Sequence, residues 1–153
     1  MALSFHPGDL DSADVRALLE FHFREMRATS PPDACHVLPL DGLRDPAVTF
    51  WSARDDGELV GVGALKQLSE DHGEIKSMRT APAALGRGIG RAILHHIFAE
   101  ARARRYRRLS LETGSTAPFA AALRLYESEN FVPCAPFADY QGTPFTRFFT
   151  REL

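Results

Sequence analysis

Three glycines, Gly86, Gly88 and Gly90, lie within five positions at the start of a strong helical pattern, in the stretch RTAPAALGRGIGRAILHHI (79–97). Glycine in a helix interior costs about 0.5–1 kcal/mol relative to alanine, so this spacing needs a reason. One reason is anion binding, because residues without Cβ atoms let main-chain N–H groups converge on a phosphate at the positive end of the helix dipole. The other is a flexible turn from strand to helix, and the glycines alone leave both interpretations open.

The two most familiar phosphate-binding loops do not match these letters. A Walker A loop needs G-x-x-x-x-G-K-[ST], but Arg91 and Ala92 follow Gly90, so the lysine and the magnesium-binding hydroxyl are both missing. A dinucleotide fingerprint needs G-x-G-x-x-G directly after the first strand of a βαβ unit, whereas the spacing here is G-x-G-x-G after an antiparallel meander. The loop therefore favours neither of these two nucleotide sites.

The first half of the chain predicts the elements that would position the loop. A short strand, ALSFH, precedes an amphipathic helix in DSADVRALLEFHFREM, with Asp11 or Ser12 as its N-cap. A proline-rich loop follows, containing at most a short helix from Leu40 to Arg44. Three consecutive antiparallel strands are then predicted, the first two joined at Asp56-Gly57, within AVTFWSARDDGELVGVGALKQL and HGEIKSMRT.

The second half alternates helices and strands. The glycine-rich helix runs to about Arg104, and it is followed by a strand (RRLSLETG), a helix (APFAAALRLYESENF) and a closing strand (TRFFTREL), with an optional strand at FVPC. The complete order is βα(α)βββαβα(β)β. We therefore predict one α+β domain spanning residues 1–153, with a mixed central sheet that contains an antiparallel meander and has helices on both faces.

Composition narrows the classes of function. A chain of 153 residues that is 44% hydrophobic can build one sizeable core, and a formal net charge of −2 gives no basic field to attract nucleic acid or an anionic membrane. The two cysteines, Cys35 and Cys134, have no disulfide-framework or metal-site spacing, which favours a reducing cytoplasm. No signal-peptide pattern and no apolar stretch approaching the roughly 18 residues of a membrane span is visible, so we expect a soluble cytoplasmic protein.

The order of elements, together with GRGIGRAIL and the downstream AALRLYESENF, resembles the GNAT superfamily of acyl-CoA-dependent N-acyltransferases over nearly the whole chain. The family signature is Gln or Arg, two residues, Gly, one residue, then Gly or Ala. Its glycines match Gly88 and Gly90, whereas its first position falls on Leu85, a departure from the pattern. The resemblance implies a GNAT-like fold, acetyl-CoA as the acyl donor, and no metal.

The resemblance also implies how the coenzyme binds. Main-chain N–H groups of the loop would hold the pyrophosphate. Arg87 and Arg91 are candidates for additional charge-assisted bonds to the phosphates. The alternative, of equal weight, is that both are solvated arginines on the helix surface. The strand before the loop would run alongside the pantetheine arm, and the N–H of Met78 would polarise the thioester carbonyl. The expected coenzyme-binding residues are Met78, Arg79, Thr80, Gly86, Arg87, Gly88, Ile89, Gly90 and Arg91.

Glu74 is the candidate general base. Alternation along the strand predicts that Glu74, Lys76 and Met78 share one face, and some family members carry a glutamate at this distance before the loop. A carboxyl group with an ordinary pKa near 4.3 needs burial to raise that pKa, or an acceptor amine of low pKa, to act near neutrality. The alternative is an ordinary surface Glu/Lys pair on a strand.

Tyr126 is the candidate general acid. Its surroundings in ALRLYESENF resemble the late helix of the family, where a tyrosine follows a leucine and a Gly-Phe pair closes the helix, here Asn130-Phe131. A tyrosine with a pKa near 10 stays protonated at neutral pH and can donate to a leaving thiolate. The alternative is a core tyrosine on the helix face formed with Leu123 and Phe119.

The resemblance implies that two loops, SPPDACHVL and APFADYQGTPF, border the acceptor pocket. They offer His36, Asp139 and Tyr140 as selectivity groups, while Lys76 or Arg79 would hold a carboxylate if the acceptor is an amino acid. Loop polar residues are also common turn formers, which is the alternative for these three.

Other polar clusters carry no predicted chemistry. The five arginines of RARRYRR lie at a helix C-terminus, where cations favour the helix dipole, and His95 and His96 point about 100° apart on their helix and cannot chelate one metal. A nucleophilic pair of Cys35 with His36 is disfavoured, because adjacent side chains rarely face each other and the sequence offers nothing to orient the histidine.

The sequence thus predicts an N-acetyltransferase that moves an acetyl group from acetyl-CoA to a primary amine of a small molecule by direct attack in a ternary complex. Two alternatives remain: a non-catalytic domain that binds or senses acyl-CoA, which the departure at Leu85 favours, and an acetyltransferase for protein lysines or N-termini. A homodimer is expected from the family resemblance alone.

Overall fold

The computed structural model describes residues 2–153 and contains the predicted order of helices and strands. The strands are β1 (Leu3–Pro7), β2 (Val48–Asp55), β3 (Glu58–Gln67), β4 (His72–Thr80), β5 (Arg108–Gly114), β6 (Val132–Pro133) and β7 (Thr146–Glu152). The helices are α1 (Ala13–Thr29), α2 (Leu40–Leu43), α3 (Ile89–Ala103) and α4 (Ala120–Ser128), with 3₁₀ turns at Pro32–Ala34, Pro82–Ala84 and Ala117–Phe119.

One seven-stranded mixed sheet organises the chain, in the order β1-β2-β3-β4-β5-β7-β6. Strands β1 to β4 form the predicted antiparallel meander, and β4 with β5 is the parallel pair. The optional strand at FVPC is real but only two residues long, and it pairs with β7 at the edge of the sheet. The predicted α+β class and mixed sheet are confirmed.

Helices cover both faces of the sheet, as predicted. Residues of α3 and α4 pack on one face with Leu109 and Leu111 of β5, whereas α1 packs on the other face with Val62 and Ala64 of β3. The alternation along each strand therefore feeds two cores, one on each side of the sheet. No helix within residues 2–153 is long and apolar enough to cross a membrane.

The first helix is longer than predicted, and its N-cap residue makes a different bond. The helix continues to Thr29, three residues beyond Met26. It begins after Ser12, one of the two predicted N-cap residues. The Ser12 side chain makes no cap hydrogen bond, because its hydroxyl donates to Asp9 instead. Asp9 is in turn bound by Ser52 and Arg54 of β2, so this network ties the start of α1 to the sheet.

Candidate active site

A cleft opens where β4 and β5 diverge. The two strands pair only at His72–Glu74 and Arg108–Ser110, and beyond those residues their facing edges have no strand partner within residues 2–153. The cleft has a volume of about 420 Å³. Its walls come from β4, β5, α1, the start of α3, and α4, and include Met78, Arg79, Thr80, Gly90, Ile93, Leu111, Glu112, Leu125 and Tyr126.

The glycine loop lies at the end of β4, at the start of α3. Gly86 and Gly88 have φ angles of +77° and +79°, and a Cβ atom at either position would meet nothing within 4 Å. The first intrahelical bond of α3 runs from Ala92 N–H to the Gly88 carbonyl, so the N–H groups of the residues before Ala92 begin the helix without such partners. Positive φ angles explain why these two positions are glycines, and the side of each residue where a Cβ atom would lie is open.

The arginines beside the loop are held by neighbouring acidic groups. Arg87 pairs with Asp55 of β2, and Arg91 pairs with Glu129 just after α4 while also donating to Ser128 Oγ at 3.0 Å. Both guanidinium groups remain partly exposed. Leu85, at the first position of the family signature, is 68% exposed and lines the cleft.

A bulge in β4 changes which face of the sheet the side chains beyond Lys76 occupy. Ser77 has a φ angle of +56°, and the register with β3 shifts there: Ala64 lies opposite Lys76, but Val62 lies opposite Arg79. The prediction that Met78 shares a face with Glu74 and Lys76 is therefore wrong. Met78 packs with the core beneath α3, because the extra residue reverses the alternation beyond Lys76.

Tyr126 lines the cleft from α4. Its side chain is only 8% exposed and packs edge-on against Phe131, and it also lines the cleft. Burial raises the pKa of Tyr126 to about 12. The phenol is therefore protonated at neutral pH and borders the same space as the free edge of β4.

A smaller chamber of about 70 Å³ adjoins the cleft. Both spaces are lined by Met26, Ile75, Lys76, Ser77, Glu112 and Thr113, so they share a wall between β4 and β5. The chamber alone is lined by His22, His36 and Glu74, among others. Ionisable side chains from α1, the proline-rich loop and both strands thus surround a space that shares lining residues with the cleft.

Glu74, Lys76 and Tyr140 form one hydrogen-bonded group. The Tyr140 hydroxyl donates to Glu74 Oε2 at 2.6 Å, and Lys76 Nζ donates to the same carboxylate oxygen at 3.2 Å and to the Tyr140 oxygen at 2.6 Å. Glu74 is 1% exposed, which rules out a surface Glu/Lys pair. Burial and the neighbouring Glu74 carboxylate raise the pKa of Tyr140. Asp139, the residue before it, is exposed.

His36 is oriented by Glu112, a residue that the sequence analysis missed. Its Nδ1 lies 2.7 Å and 2.8 Å from the two Glu112 carboxylate oxygens, across 76 positions of the chain. The expectation that nothing orients this histidine is therefore wrong. Burial raises the pKa of Glu112, and the bond to His36 opposes that shift. Glu112 alternates with Leu111 in a strand whose other face is apolar, which is the signal that could have revealed it.

His22 is the second residue that the sequence analysis missed. It lies on the buried face of α1, where it accepts a 3.0 Å hydrogen bond at Nδ1 from Arg79 Nε. Burial, with a contribution from Arg79, lowers the pKa of His22 to about 3, so the ring is neutral. Arg79 also lies over the Phe21 ring at 5.5 Å. A polar residue at the helical spacing of Leu18 and Leu19 was the available signal.

No group of three or more candidate metal ligands occurs within residues 2–153. His95 pairs with Glu129 on the surface, and His96 stacks on Phe5 at 4.2 Å, so the two neighbouring histidines point to different surroundings.

Comparison with known proteins identifies the family. The profile of the Acetyltransferase (GNAT) family matches residues 13–131. The chain is 50% identical over 145 residues to an uncharacterized N-acetyltransferase of Bacillus subtilis, YsnE. The aligned region covers 95% of this chain and 96% of that protein. This chain is 37% identical over 140 residues to an IAA acetyltransferase of Azospirillum brasilense, covering 91% and 90% of the two chains.

Solved structures share the fold over the whole chain. A putative acyl-CoA N-acyltransferase from Klebsiella pneumoniae has a TM-score of 0.76 at 28% identity and covers 99% of this chain and 97% of its own. A GNAT family acetyltransferase from Elizabethkingia anophelis, solved with acetyl-CoA bound, has a TM-score of 0.73 at 19% identity, covering 99% and 98%. With the family profile and the close relatives, these matches show that the chain belongs to the GNAT acetyltransferase family and is an acyltransferase.

Proposed function

We propose that this enzyme transfers an acetyl group from acetyl-CoA to a primary amine of a small molecule by direct attack in a ternary complex. The observation that carries the proposal is the shared wall between the cleft and the ionisable chamber. Because the two spaces adjoin, a donor in the cleft and an acceptor in the chamber can be present together, and no covalent acyl-enzyme is needed.

The coenzyme would be held mainly by the main chain. N–H groups from Gly86 to Arg91 are suited to the pyrophosphate, because the helix dipole and the lack of side chains at Gly86 and Gly88 favour an anion there. The free edge of β4, at Met78, Arg79 and Thr80, would bond to the pantetheine arm as an added strand does, with the Met78 N–H directed at the thioester oxygen. The ion pairs of Arg87 and Arg91 would rearrange if these side chains also bind phosphate.

Tyr126 would protonate the departing thiolate. Its hydroxyl is protonated at neutral pH because burial raises its pKa to about 12. Transfer from such a phenol to a thiolate of ordinary pKa, near 8.5, would be uphill in water. The same desolvation raises the pKa of a thiol in the cleft. The pKa values of the phenol and the thiol therefore lie closer together there, which supports proton donation from Tyr126 to the thiolate.

Glu74 would accept a proton from the attacking nitrogen. Its buried carboxylate receives the Tyr140 hydroxyl at 2.6 Å, so a proton can reach it directly or by way of that hydroxyl. The Lys76 ammonium lies 3.2 Å from the same carboxylate oxygen. His36, Lys76 and Tyr140 are the residues that we propose to contact the acceptor.

The size and charge of the chamber favour a small cationic acceptor. A space of about 70 Å³ admits a short amine group. The negative charge of the Glu74 and Glu112 carboxylates together is larger than the single positive charge of Lys76. A side chain of another protein would have to enter the same narrow space.

Thermal unfolding with and without acetyl-CoA is the first test. Ligand at 100 times its Kd should stabilise the fold by about 2.7 kcal/mol, and thiol release across a panel of primary amines should then identify an acceptor. No stabilisation at millimolar acetyl-CoA would contradict the proposed donor. Thiol release only with cell proteins, located by mass spectrometry, would replace the small acceptor with a protein one.

A further inference from the structure

The proposed reaction leaves one proton without a route to solvent. An alkylamine with a pKa near 10.4 is an ammonium at neutral pH, so its nitrogen must lose two protons to become an amide. One of them balances the proton that the coenzyme sulfur takes up on becoming a thiol, and the other must leave the enzyme. Glu74 is 1% exposed and its Oε2 is bonded by both Lys76 and Tyr140, which makes it poorly placed to exchange protons with water.

His36 has the contacts and the exposure for this second task. Glu112 fixes one ring nitrogen, Nδ1, through bonds of 2.7 and 2.8 Å, and no partner for the opposite nitrogen is described within residues 2–153. The ring lines the chamber, yet its side chain is 31% exposed, against 12% for Glu112. A carboxylate on Nδ1 keeps the hydrogen on that nitrogen and leaves a lone pair on Nε2.

We propose that His36, held by Glu112, removes the first proton from the ammonium of the acceptor and passes it to solvent, so that a neutral amine attacks the thioester. This inference rests on the proposed function. Glu112 is a positioning residue that acts through His36.

The proton balance then closes. The ammonium N–H bond breaks as the Nε2–H bond forms, and the resulting imidazolium gives that proton to water. After the neutral amine attacks, its nitrogen gives a second proton to Glu74 while Tyr126 gives one to the sulfur. Glu74 then loses its proton by way of the Tyr140 hydroxyl and Tyr126 regains one, which restores both groups, and the net products are amide, thiol and one released proton.

The groups around His36 suit this cycle. The ring centroid of Tyr140 lies 5.0 Å from that of His36, and Tyr140 is protonated because its pKa is raised. Glu112 and Glu74 contribute negative charge and Lys76 positive charge, while His22 of α1 is neutral. The carboxylates of Glu74 and Glu112 attract an ammonium. Glu112 is also the direct hydrogen-bond partner of the His36 ring.

The ring orientation can be tested without turnover. Side-chain ¹⁵N NMR of the intact protein should show a ring hydrogen of His36 on Nδ1, the signal being assigned by its absence from His36→Gln. Glu112→Gln should shift this signal and change the tautomer population. A neutral ring protonated on Nε2, or no change in Glu112→Gln, would overturn the proposal.

The catalytic role is tested with two amines that share an ethyl skeleton, ethylamine and 2,2,2-trifluoroethylamine, whose ammonium forms differ greatly in acidity. His36→Gln should lower kcat/KM for ethylamine about 10²-fold, but by less than about threefold for the fluorinated amine, which is largely neutral already. The acidic limb of the wild-type pH profile should disappear in His36→Gln and shift in Glu112→Gln. His6→Gln, an exposed histidine on β1 that contacts Ser4, is the control and should resemble wild type.

Equal losses for both amines, or an unchanged acidic limb, would mean that His36 only shapes the chamber and would overturn the proposal. If the wild type releases no thiol with any amine, the proposed function fails, whereas the NMR result still decides the orientation of His36.

Discussion

The coenzyme side of the cleft and the acceptor chamber are built from different parts of the chain. The coenzyme side offers main-chain groups, namely the glycine loop at the start of α3 and the free edge of β4, beside a lining that is partly apolar. The chamber offers side chains, including Glu74, Lys76, Glu112 and His36, and Tyr140 is bonded to the first two of them. Main-chain recognition tolerates changes of side chain, whereas the chamber depends on each residue type, so we expect acceptor choice to be decided in the chamber.

The largest expected effect tests the junction of the two sides. Tyr126→Phe should lower kcat by roughly 10²- to 10⁴-fold, because the cleft loses its proposed proton donor. The affinity for acetyl-CoA, measured by calorimetry, should change little, since the ring and its packing on Phe131 are retained. Tyr106→Phe, in the core at 6% exposure and outside the cleft lining, is the matched control. A full kcat in Tyr126→Phe would remove this tyrosine from the mechanism.

The second prediction concerns the stability of the chamber. Glu74→Gln should lower the free energy of unfolding by about 3 kcal/mol, because it leaves the Lys76 ammonium, whose side chain is 8% exposed, without its charged partner. Urea denaturation measures this loss, and the double variant Glu74→Gln/Lys76→Met should recover much of it. Glu152→Gln, which breaks the exposed pair with Arg108, should cost well under 1 kcal/mol. Similar losses for the two single variants would show that burial does not distinguish the chamber pair.

The third prediction is a pH dependence that arises on the chamber side. Because the pKa of His22 is lowered from 6.5 to about 3 in the fold, the unfolded chain binds a proton there between these pH values and the folded protein does not. Stability is therefore retained above pH 6.5 and lost as the pH falls toward 3, by about 2 kcal/mol between pH 7 and pH 5 from this group.

His72 and His96, whose pKa values burial also lowers, add losses of the same sign, so the variant His22→Gln is needed to isolate the share of His22. Chemical denaturation of both proteins at pH 5, 6 and 7 gives the comparison. The variant should have a shallower slope of stability with pH, and parallel slopes would contradict a neutral, buried His22.

The smallest expected effect concerns the coenzyme side. Gly88→Ala should weaken acetyl-CoA binding about tenfold, which corresponds to about 1.4 kcal/mol, by placing a Cβ atom in the space in front of the loop. Gly8→Ala is the matched control, because Gly8 has a φ angle of +72° with equally open surroundings and lies between β1 and α1 rather than in the glycine loop. Both variants should lose about 1–2 kcal/mol of stability from left-handed strain, but only Gly88→Ala should lose affinity. Equal affinities would leave the loop as a turn.

Local patterns in the sequence predicted most of the fold. Apolar residues at helical spacing indicated α1 and α3, and the turn at Asp56-Gly57 indicated the β2–β3 hairpin, in which both turn residues have positive φ angles. Gly86 and Gly88, which the sequence singled out by their spacing, both have positive φ angles. These features depend on residues that are close together in the sequence, which is why the sequence predicts them.

The chamber was only partly predictable. Glu74 and Tyr140 were candidates for separate reasons, but the hydrogen bond that joins them spans 66 positions, and Glu112 and His22 were not candidates at all. The bulge at Ser77 also moved Met78 to the opposite face from Glu74, since strand register depends on the pairing partner as well as on the strand itself.

The sequence by itself determined the order of helices and strands, the glycine loop and the family, because each of these follows from residue types at short spacing. The tertiary structure alone decided where β4 and β5 part, which side chains meet between them, and that Glu112 orients His36. Those contacts join residues far apart in the chain, and their geometry follows from the packing of helices on both faces of a sheet that opens at one parallel pair.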